Sequence, residues 1–184
     1  MGQALWFTSP VARLLLTGSV VLGTAHSGRV ATSGWPRFTL HAVHRNLSML
    51  TVVFLAVHIA SAIIDPYAGI AWLDAVLPFV STYHPFWLGL GALALDLMLA
   101  VIVTSMLRTR IPVRLWRAVH LTAYALWPIA VAHGLGIGGA DSRLGWVIGL
   151  NGACAAAVLF ALVRRLRTRR SEIDVRQEEE VGVR

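Results

Sequence analysis

The chain has 184 residues, of which 57% are hydrophobic and only 14% are charged. Ordinary soluble domains carry roughly 25% charged residues, so this composition and a mean hydropathy of +0.68 exclude a soluble globular enzyme. At about 20 residues per bilayer crossing, the length allows about five or six spans with short loops, and it leaves no room for a soluble catalytic domain of ordinary size. We therefore expect an integral membrane protein.

The net charge of +7 comes from sixteen arginines and no lysine. A positive net charge can indicate nucleic-acid binding, but these arginines lie beside apolar segments, as the positive-inside rule describes. The expected partner is therefore the lipid bilayer and not nucleic acid. Cys154 is the single cysteine, which excludes an intrachain disulfide, a cysteine zinc site and an iron–sulfur cluster built from cysteines.

Five apolar segments predict an all-α, polytopic membrane bundle of about five transmembrane helices. They cover approximately residues 10–25, 43–64, 86–107, 115–137 and 145–163. The first is the weakest because it contains Arg13, and a signal peptide is the alternative interpretation. A signal peptide begins with a positively charged region, whereas residues 1–10 carry no charged side chain, so we expect a retained helix.

The arginines predict the orientation of the bundle, because short cytoplasmic loops are enriched in them. Every second loop is basic: Arg29, Arg37 and Arg45 follow the first segment, Arg108, Arg110, Arg114 and Arg117 follow the third, and Arg164, Arg165, Arg167, Arg169 and Arg170 follow the fifth. This pattern predicts a multi-pass protein of the cell inner or plasma membrane, with its N-terminus outside and its C-terminus in the cytoplasm. Residues 1–165 would form the bundle and residues 166–184 a charged, disordered cytoplasmic tail.

Four histidines recur at matched spacing on the second and fourth segments. Thirteen residues separate His44 from His58, and twelve separate His120 from His133. At 1.5 Å rise per residue these spacings correspond to roughly 21 and 20 Å. Because the two segments are parallel in the predicted topology, His44 would lie level with His120 near the cytoplasm, and His58 level with His133 near the outer side.

Two facing imidazoles at each level are what a six-coordinate haem b requires. A tetrahedral zinc site would need its ligands in one layer, and structural histidines bonded to a neighbouring helix are the alternative without function. On a straight helix, His133 would point roughly 140° away from His120. Pro128 lies between them, and we expect a proline kink there to re-aim His133.

The double spacing, His-x13-His and then His-x12-His two helices later, resembles the ferric reductase-like transmembrane family. This group includes NADPH oxidases, ferric reductases and the haem-bearing membrane subunit of the bacterial methionine sulfoxide reductase system. The similarity covers roughly residues 38–165. It implies two haem b groups, an inner one on His44 and His120 and an outer one on His58 and His133, with electrons moving outward.

The sequence departs from the oxidases of that family in two respects. It has five expected spans where they have six, and it carries no flavin or nicotinamide site, since no Gly-x-Gly-x-x-Gly follows a predicted strand. The electron donor would therefore be another molecule, a flavoprotein or a quinol, and the acceptor would be extracytoplasmic. The chain is then the membrane component of an oxidoreductase; its enzymatic status and oligomeric state are left open.

Several further residues are candidates for supporting roles. Arg45 follows an inner histidine and Arg117 precedes His120 by three residues, where guanidinium groups could bind haem propionates; positive-inside charge alone is the alternative. In a second hypothesis, the chain is a quinone-linked cytochrome b anchor subunit in which His41 and Asp96 contribute to a quinone site. In a third, it is a haem-free membrane scaffold.

Overall fold

A computed structural model describes the backbone of residues 3–27, 37–66 and 69–182, and the side chains of residues 7–25, 38–66, 69–168 and 170. Among the residues named above, Arg29 and the side chains of Arg37 and Arg169 lie outside these ranges. The described backbone is helical and contains no strand. Its helices are α1 (Gln3–Ser27), α2 (Arg37–Ile64), α3 (Trp72–Val76), α4 (Pro85–Met106), α5 (Val113–Leu121), α6 (Ala123–Ile137) and α7 (Gly145–Gly182).

The described helices include five stretches that are long and apolar enough to cross a membrane, with α5 and α6 together forming the fourth. These are Phe7–Ala25, Phe38–Ile64, Pro85–Met106, Val113–Ile137 and Gly145–Thr168. The predicted all-α bundle of five transmembrane helices is thus confirmed, and the protein is a multi-pass membrane protein. The side of the membrane that each terminus faces stays a prediction.

The helices expose large apolar side chains and pack through small ones. Val57, Leu159 and Phe160 are exposed, which suits contact with hydrocarbon. Small residues at helix interfaces let membrane helices approach closely, where van der Waals packing and interhelical hydrogen bonds stabilise the bundle. The buried residues are mostly of this kind: Thr8, Thr17, Ser19, Thr24, Thr51, Ser81, Ala92, Ala94 and Cys154.

The first helix is an integral part of this bundle, because it packs against α2, α6 and α7. Ser19 and Ser48 share a hydrogen bond of 2.6 Å between α1 and α2. Trp127 Nε1 on α6 donates a bond of 3.0 Å to Thr17 Oγ1 on α1. Interhelical hydrogen bonds of this kind contribute about 0.6 kcal/mol each on average within membranes.

The two ends of the bundle differ in their connections. We call one the basic end: here α4 turns into α5, and the turn and the start of α5 carry Arg108, Arg110, Arg114 and Arg117. We call the other the far end, where α3 lies between α2 and α4. There Asp74 Oδ2 accepts hydrogen bonds from Ala71 N and Ser81 Oγ, at 3.0 and 3.2 Å. The sequence predicts no helix at α3, because five residues are too few for a helical hydrophobic period.

The final helix extends past its apolar part. The apolar window ends at Thr168, whereas the helical backbone continues to Gly182. Apart from Arg170, the side chains beyond Thr168 lie outside the described residues. The division of the chain into a bundle and a disordered tail from residue 166 stays a prediction.

The contact between α4 and α6 depends on Gly136. A Cβ atom at this position would overlap the indole of Trp87 on α4. We expect Gly136→Ala to destabilise the protein by about 1–3 kcal/mol through overpacking, measured as a lower midpoint of thermal unfolding in detergent.

Gly149→Ala is the matched control, because no atom lies within 4 Å of a Cβ built at that exposed position of α7. The control should be neutral or slightly stabilising, since alanine is the better helix former. Equal midpoints for the two variants would contradict the close packing of α4 on α6.

Candidate functional site

Four of the histidines meet in two pairs inside the bundle. The rings of His44 on α2 and His120 on α5 have centroids 6.5 Å apart and planes at 75°. The rings of His58 on α2 and His133 on α6 have centroids 6.5 Å apart and planes at 84°. We call these the basic-end pair and the far-end pair. They are the combinations that the spacing predicts, and their role as ligands stays a prediction.

The fourth span forms both pairs because its helix is interrupted at Thr122. The Thr122 amide bonds to Val119 O at 3.0 Å, and the Ala125 amide bonds to Thr122 O at 2.9 Å. Both bonds join residues three apart, which tightens the helix locally. The Thr122 hydroxyl also bonds to Val119 O, at 2.7 Å, and back-bonding of this kind bends helices.

The interruption therefore lies before Pro128 and not at it. Pro128 is inside α6, where it has no amide to bond to Tyr124 O and its ring presses on that carbonyl. A proline distorts the helical turn that precedes it, and here that turn adjoins the distortion at Thr122. The expectation that this span cannot be straight is met, with the break six residues earlier than expected.

Backbone geometry assigns the protonation of His133 in the far-end pair. His133 Nδ1 lies 2.8 Å from the carbonyl oxygen of Trp87. A carbonyl only accepts, so Nδ1 carries a proton, and in the neutral imidazole Nε2 then keeps its lone pair. Histidines that bind metals are commonly oriented by such a bond from the other ring nitrogen.

The partner histidine is contacted from α1. His58 Nδ1 lies 3.4 Å from Thr8 Oγ1 and 3.5 Å from Ser9 Oγ. In both far-end histidines, Nδ1 is thus directed to the protein scaffold. The contribution of α1 was not apparent from the sequence, since Thr8 and Ser9 precede the apolar segment predicted for it.

Glycines on neighbouring helices make room for two of the imidazoles. A Cβ atom on Gly91 of α4 would lie 2.6 Å from His133 Cε1 and 2.7 Å from its Nδ1. A Cβ atom on Gly23 of α1 would lie 3.2 Å from His44 Cε1. The first distance is far shorter than any van der Waals contact, so the position of His133 requires glycine at residue 91.

A cavity of about 250 Å³ adjoins the far-end pair. His58, His133 and Arg13 line it among mainly apolar side chains, and it extends at the far end to Asp74 on α3 and to Asp141 between α6 and α7. Arg13 was expected only to weaken the first helix. Its half-buried guanidinium instead reaches α6, where it occupies the space that a side chain at Gly134 would fill.

The basic-end pair is supported by aromatic contacts. Trp116 stacks on His120, with ring centroids 5.1 Å apart and planes at 25°. The guanidinium carbon of Arg108 lies 4.6 Å from the centroid of the Trp116 ring. Among the described residues, neither His120 Nδ1 nor Trp116 Nε1 has a hydrogen-bond partner, although both atoms are buried.

The other predicted residues lie away from these contacts. Arg45 and Arg117 are exposed, and their predicted binding of propionates stays a prediction. His41 is exposed near the start of α2, and Asp96 is half-buried in the middle of α4. Neither residue lines the far-end cavity, so this cavity gives no support to the quinone site that was proposed for them.

Each histidine pair suits a metal ion whose other ligands come from a bound cofactor. No group of three or more histidine, cysteine, aspartate or glutamate side chains in the described part of the chain could hold a metal ion, whereas a structural zinc site usually needs four. A centroid separation of 6.5 Å in each pair has room for a shared metal ion held by one nitrogen of each ring, at bonds of about 2.0–2.1 Å. A porphyrin supplies the remaining ligands.

The fold and the two pairs define a class of protein: a polytopic helical membrane protein with two bis-histidine layers in its core. A family model described as the ferric reductase like transmembrane component matches residues 9–131, more than half of the chain. The chain therefore belongs to the ferric reductase-like transmembrane family, whose domains generally bind haem. A search of curated proteins and a search of solved structures each found no match.

The extent of the match differs from the resemblance seen in the sequence. The match begins inside α1, at residue 9, and ends two residues before His133. The sequence resemblance instead ran from about residue 38 to 165. The helix that contacts both His44 and His58 is therefore part of the family domain.

The Gly91 contact makes a testable prediction about the far-end pair. We expect Gly91→Ala to displace the His133 ring, break its bond to Trp87 O and lower the haem content of the purified protein. Haem per chain, measured as the pyridine haemochrome, checks this.

Gly152→Ala is the control, because a Cβ at Gly152 meets no atom within 4 Å. If Gly91→Ala and Gly152→Ala retain the same haem as the wild type, the dependence of the His133 position on Gly91 is contradicted.

Proposed function

We propose that this protein transfers electrons across the membrane through two b haems, from a donor on the cytoplasmic side to an extracytoplasmic acceptor. The basic-end pair, His44 and His120, holds the inner haem. The far-end pair, His58 and His133, holds the outer haem. The observation that carries the proposal is the repetition of one arrangement, two imidazoles with centroids 6.5 Å apart, at two levels of the same bundle.

The chemistry of the donor set supports this function. Haem, when bound, supplies an iron centre that takes up and releases one electron. The four imidazoles would hold the two iron atoms, two imidazoles to each, and would leave no position on the iron for another ligand. A site closed in this way favours electron transfer over the binding of small ligands to the metal.

The lining of the far-end cavity suits a ligand that is mainly apolar and carries an anionic group. Its walls are mainly apolar, and Arg13 places a cation among them, while Asp65, Asp74 and Asp141 place carboxylates on the same lining. An arginine within a span is costly, by about 2.5–3.5 kcal/mol at the bilayer centre on insertion scales, and a carboxylate partner would offset that cost. A haem offers an apolar macrocycle and two propionates, of which Arg13 would bind one.

The charge at the two ends supports the direction of transfer. At the basic end Arg108, Arg110, Arg114 and Arg117 are all exposed, which the positive-inside rule associates with the cytoplasm. The far-end cavity reaches Asp65, Asp74 and Asp141 instead. An exposed basic surface fits a donor with an acidic face, such as a separate flavoprotein.

Removing single ligands tests the cofactor and the pairing together. We expect His58→Ala and His133→Ala to cause the same partial loss of haem, since each removes one axial ligand of the same group. His44→Ala and His120→Ala, each made singly, should likewise cause equal losses of haem, but of the other haem. Redox difference spectra and haem quantitation measure these outcomes.

His84→Asn is the control, because His84 lies outside both pairs and asparagine tolerates its left-handed backbone, at φ 42°. Circular dichroism on each variant reports whether the helices remain folded. Wild-type protein that carries no haem after haem-replete expression would overturn the proposal.

The angles between the ring planes predict the type of electron paramagnetic resonance (EPR) signal of the oxidised protein. Perpendicular axial imidazoles leave two iron d orbitals nearly equal in energy, whereas parallel imidazoles split them. With planes at 75° and 84°, the oxidised protein should show strongly anisotropic low-spin EPR signals, of the kind with a large maximum g value. Rhombic signals typical of parallel planes would contradict the ring geometry.

A further inference from the structure

The two ends of the bundle orient their histidines by different means. At the far end, Nδ1 of His133 bonds to a backbone carbonyl and Nδ1 of His58 lies near two hydroxyls. At the basic end, Nδ1 of His120 is buried and makes no hydrogen bond to any described residue. Another contact must therefore hold the plane of the His120 ring.

That contact is the indole of Trp116. Trp116 precedes His120 by four residues on α5, so the two side chains share one face of the helix. The planes differ by 25° at a centroid distance of 5.1 Å, which is a stacked arrangement. Since Trp116 Nε1 is itself buried without a partner among the described residues, stacking and not hydrogen bonding connects the two rings.

Arg108 adds a positive charge to this stack. Its guanidinium carbon is 4.6 Å from the indole centroid, within the roughly 6 Å over which a cation is attracted to an aromatic face. The turn that carries Arg108 is closed by backbone bonds from Arg110 N and Ile111 N to Leu107 O, at 2.8 and 3.2 Å. The cation is thus presented by a folded turn at the surface of the basic end.

We propose that Trp116 and Arg108 are positioning residues for the inner haem: Trp116 fixes the plane of the His120 imidazole, and the Arg108 cation on the indole raises the reduction potential at this level. The inference rests on the proposed function, because it requires a haem on His44 and His120. A positive charge near the metal favours the form that carries the extra electron, so its removal lowers the potential.

Spectroscopy of Trp116 variants tests the positioning role. Trp116→Leu fills part of the space without an aromatic face, and we expect one of the two low-spin EPR signals to shift as the His120 plane relaxes. Trp116→Phe keeps an aromatic ring and should preserve that signal. Trp72→Leu is the matched control, because Trp72 is 68% exposed on α3 at the far end, and it should leave both signals unchanged.

Redox titration of Arg108 variants tests the effect of the charge. We expect Arg108→Gln to lower the equilibrium constant for reduction of one haem about threefold or more, which is roughly 30 mV at 59 mV per tenfold for one electron. Arg108→Lys should restore most of the potential. Arg110→Gln, which removes the same charge from the same exposed turn, should change the potential less.

The outcomes separate this inference from the function on which it rests. Wild-type protein without haem would overturn both. If the wild type carries haem but Trp116→Leu and Trp72→Leu give the same EPR signals, the positioning role alone is overturned. Equal potentials in Arg108→Gln and Arg110→Gln would overturn the charge effect, and because Arg108 is exposed, this variant is expected to fold.

Discussion

An imidazole inside a membrane needs partners, because hydrocarbon offers neither a donor nor an acceptor to its two ring nitrogens. The far end of this bundle meets that need with a hydrogen bond to His133, whereas at the basic end the His120 ring, whose Nδ1 has no partner among the described residues, stacks on Trp116. Helices α2, α5 and α6 bring the rings together in pairs, α1 contacts His58 through Thr8 and Ser9, and α4 provides the carbonyl of Trp87. Small residues at the helix interfaces allow these approaches.

The spans and the histidine pairs could be predicted from the sequence because each depends on a regular spacing. A membrane span needs about 20 apolar residues, and all five were found to within a few residues. The pairs required only the rise per residue and the parallel direction of two helices. The rotation about the fourth span could not be predicted in the same way, because the break at Thr122 depends on local bonds to Val119 O.

The supporting residues could not be predicted because they act through three-dimensional contacts that leave no pattern in the chain. Gly91 is one of 16 glycines, and its importance arises only because His133 packs against it. The partner of His133 is a backbone carbonyl, which every residue possesses. Trp116 is the exception, since it and His120 are four residues apart on one helix, a spacing that places two rings on the same face.

The two cations of the site differ in their surroundings, and this difference bears on the direction of electron transfer. Arg13 is half-buried within a span beside the far-end pair, whereas Arg108 is exposed at the basic end. A charge acts more strongly where the effective dielectric constant is low and salt does not screen it. With haems in both pairs, as proposed, Arg13 would raise the far-end potential, whereas the carboxylates of Asp65, Asp74 and Asp141 on the same cavity would lower it. The far-end potential, and with it the driving force for electrons that enter at the basic end, is therefore set by which of these charges lies nearest the far-end histidines.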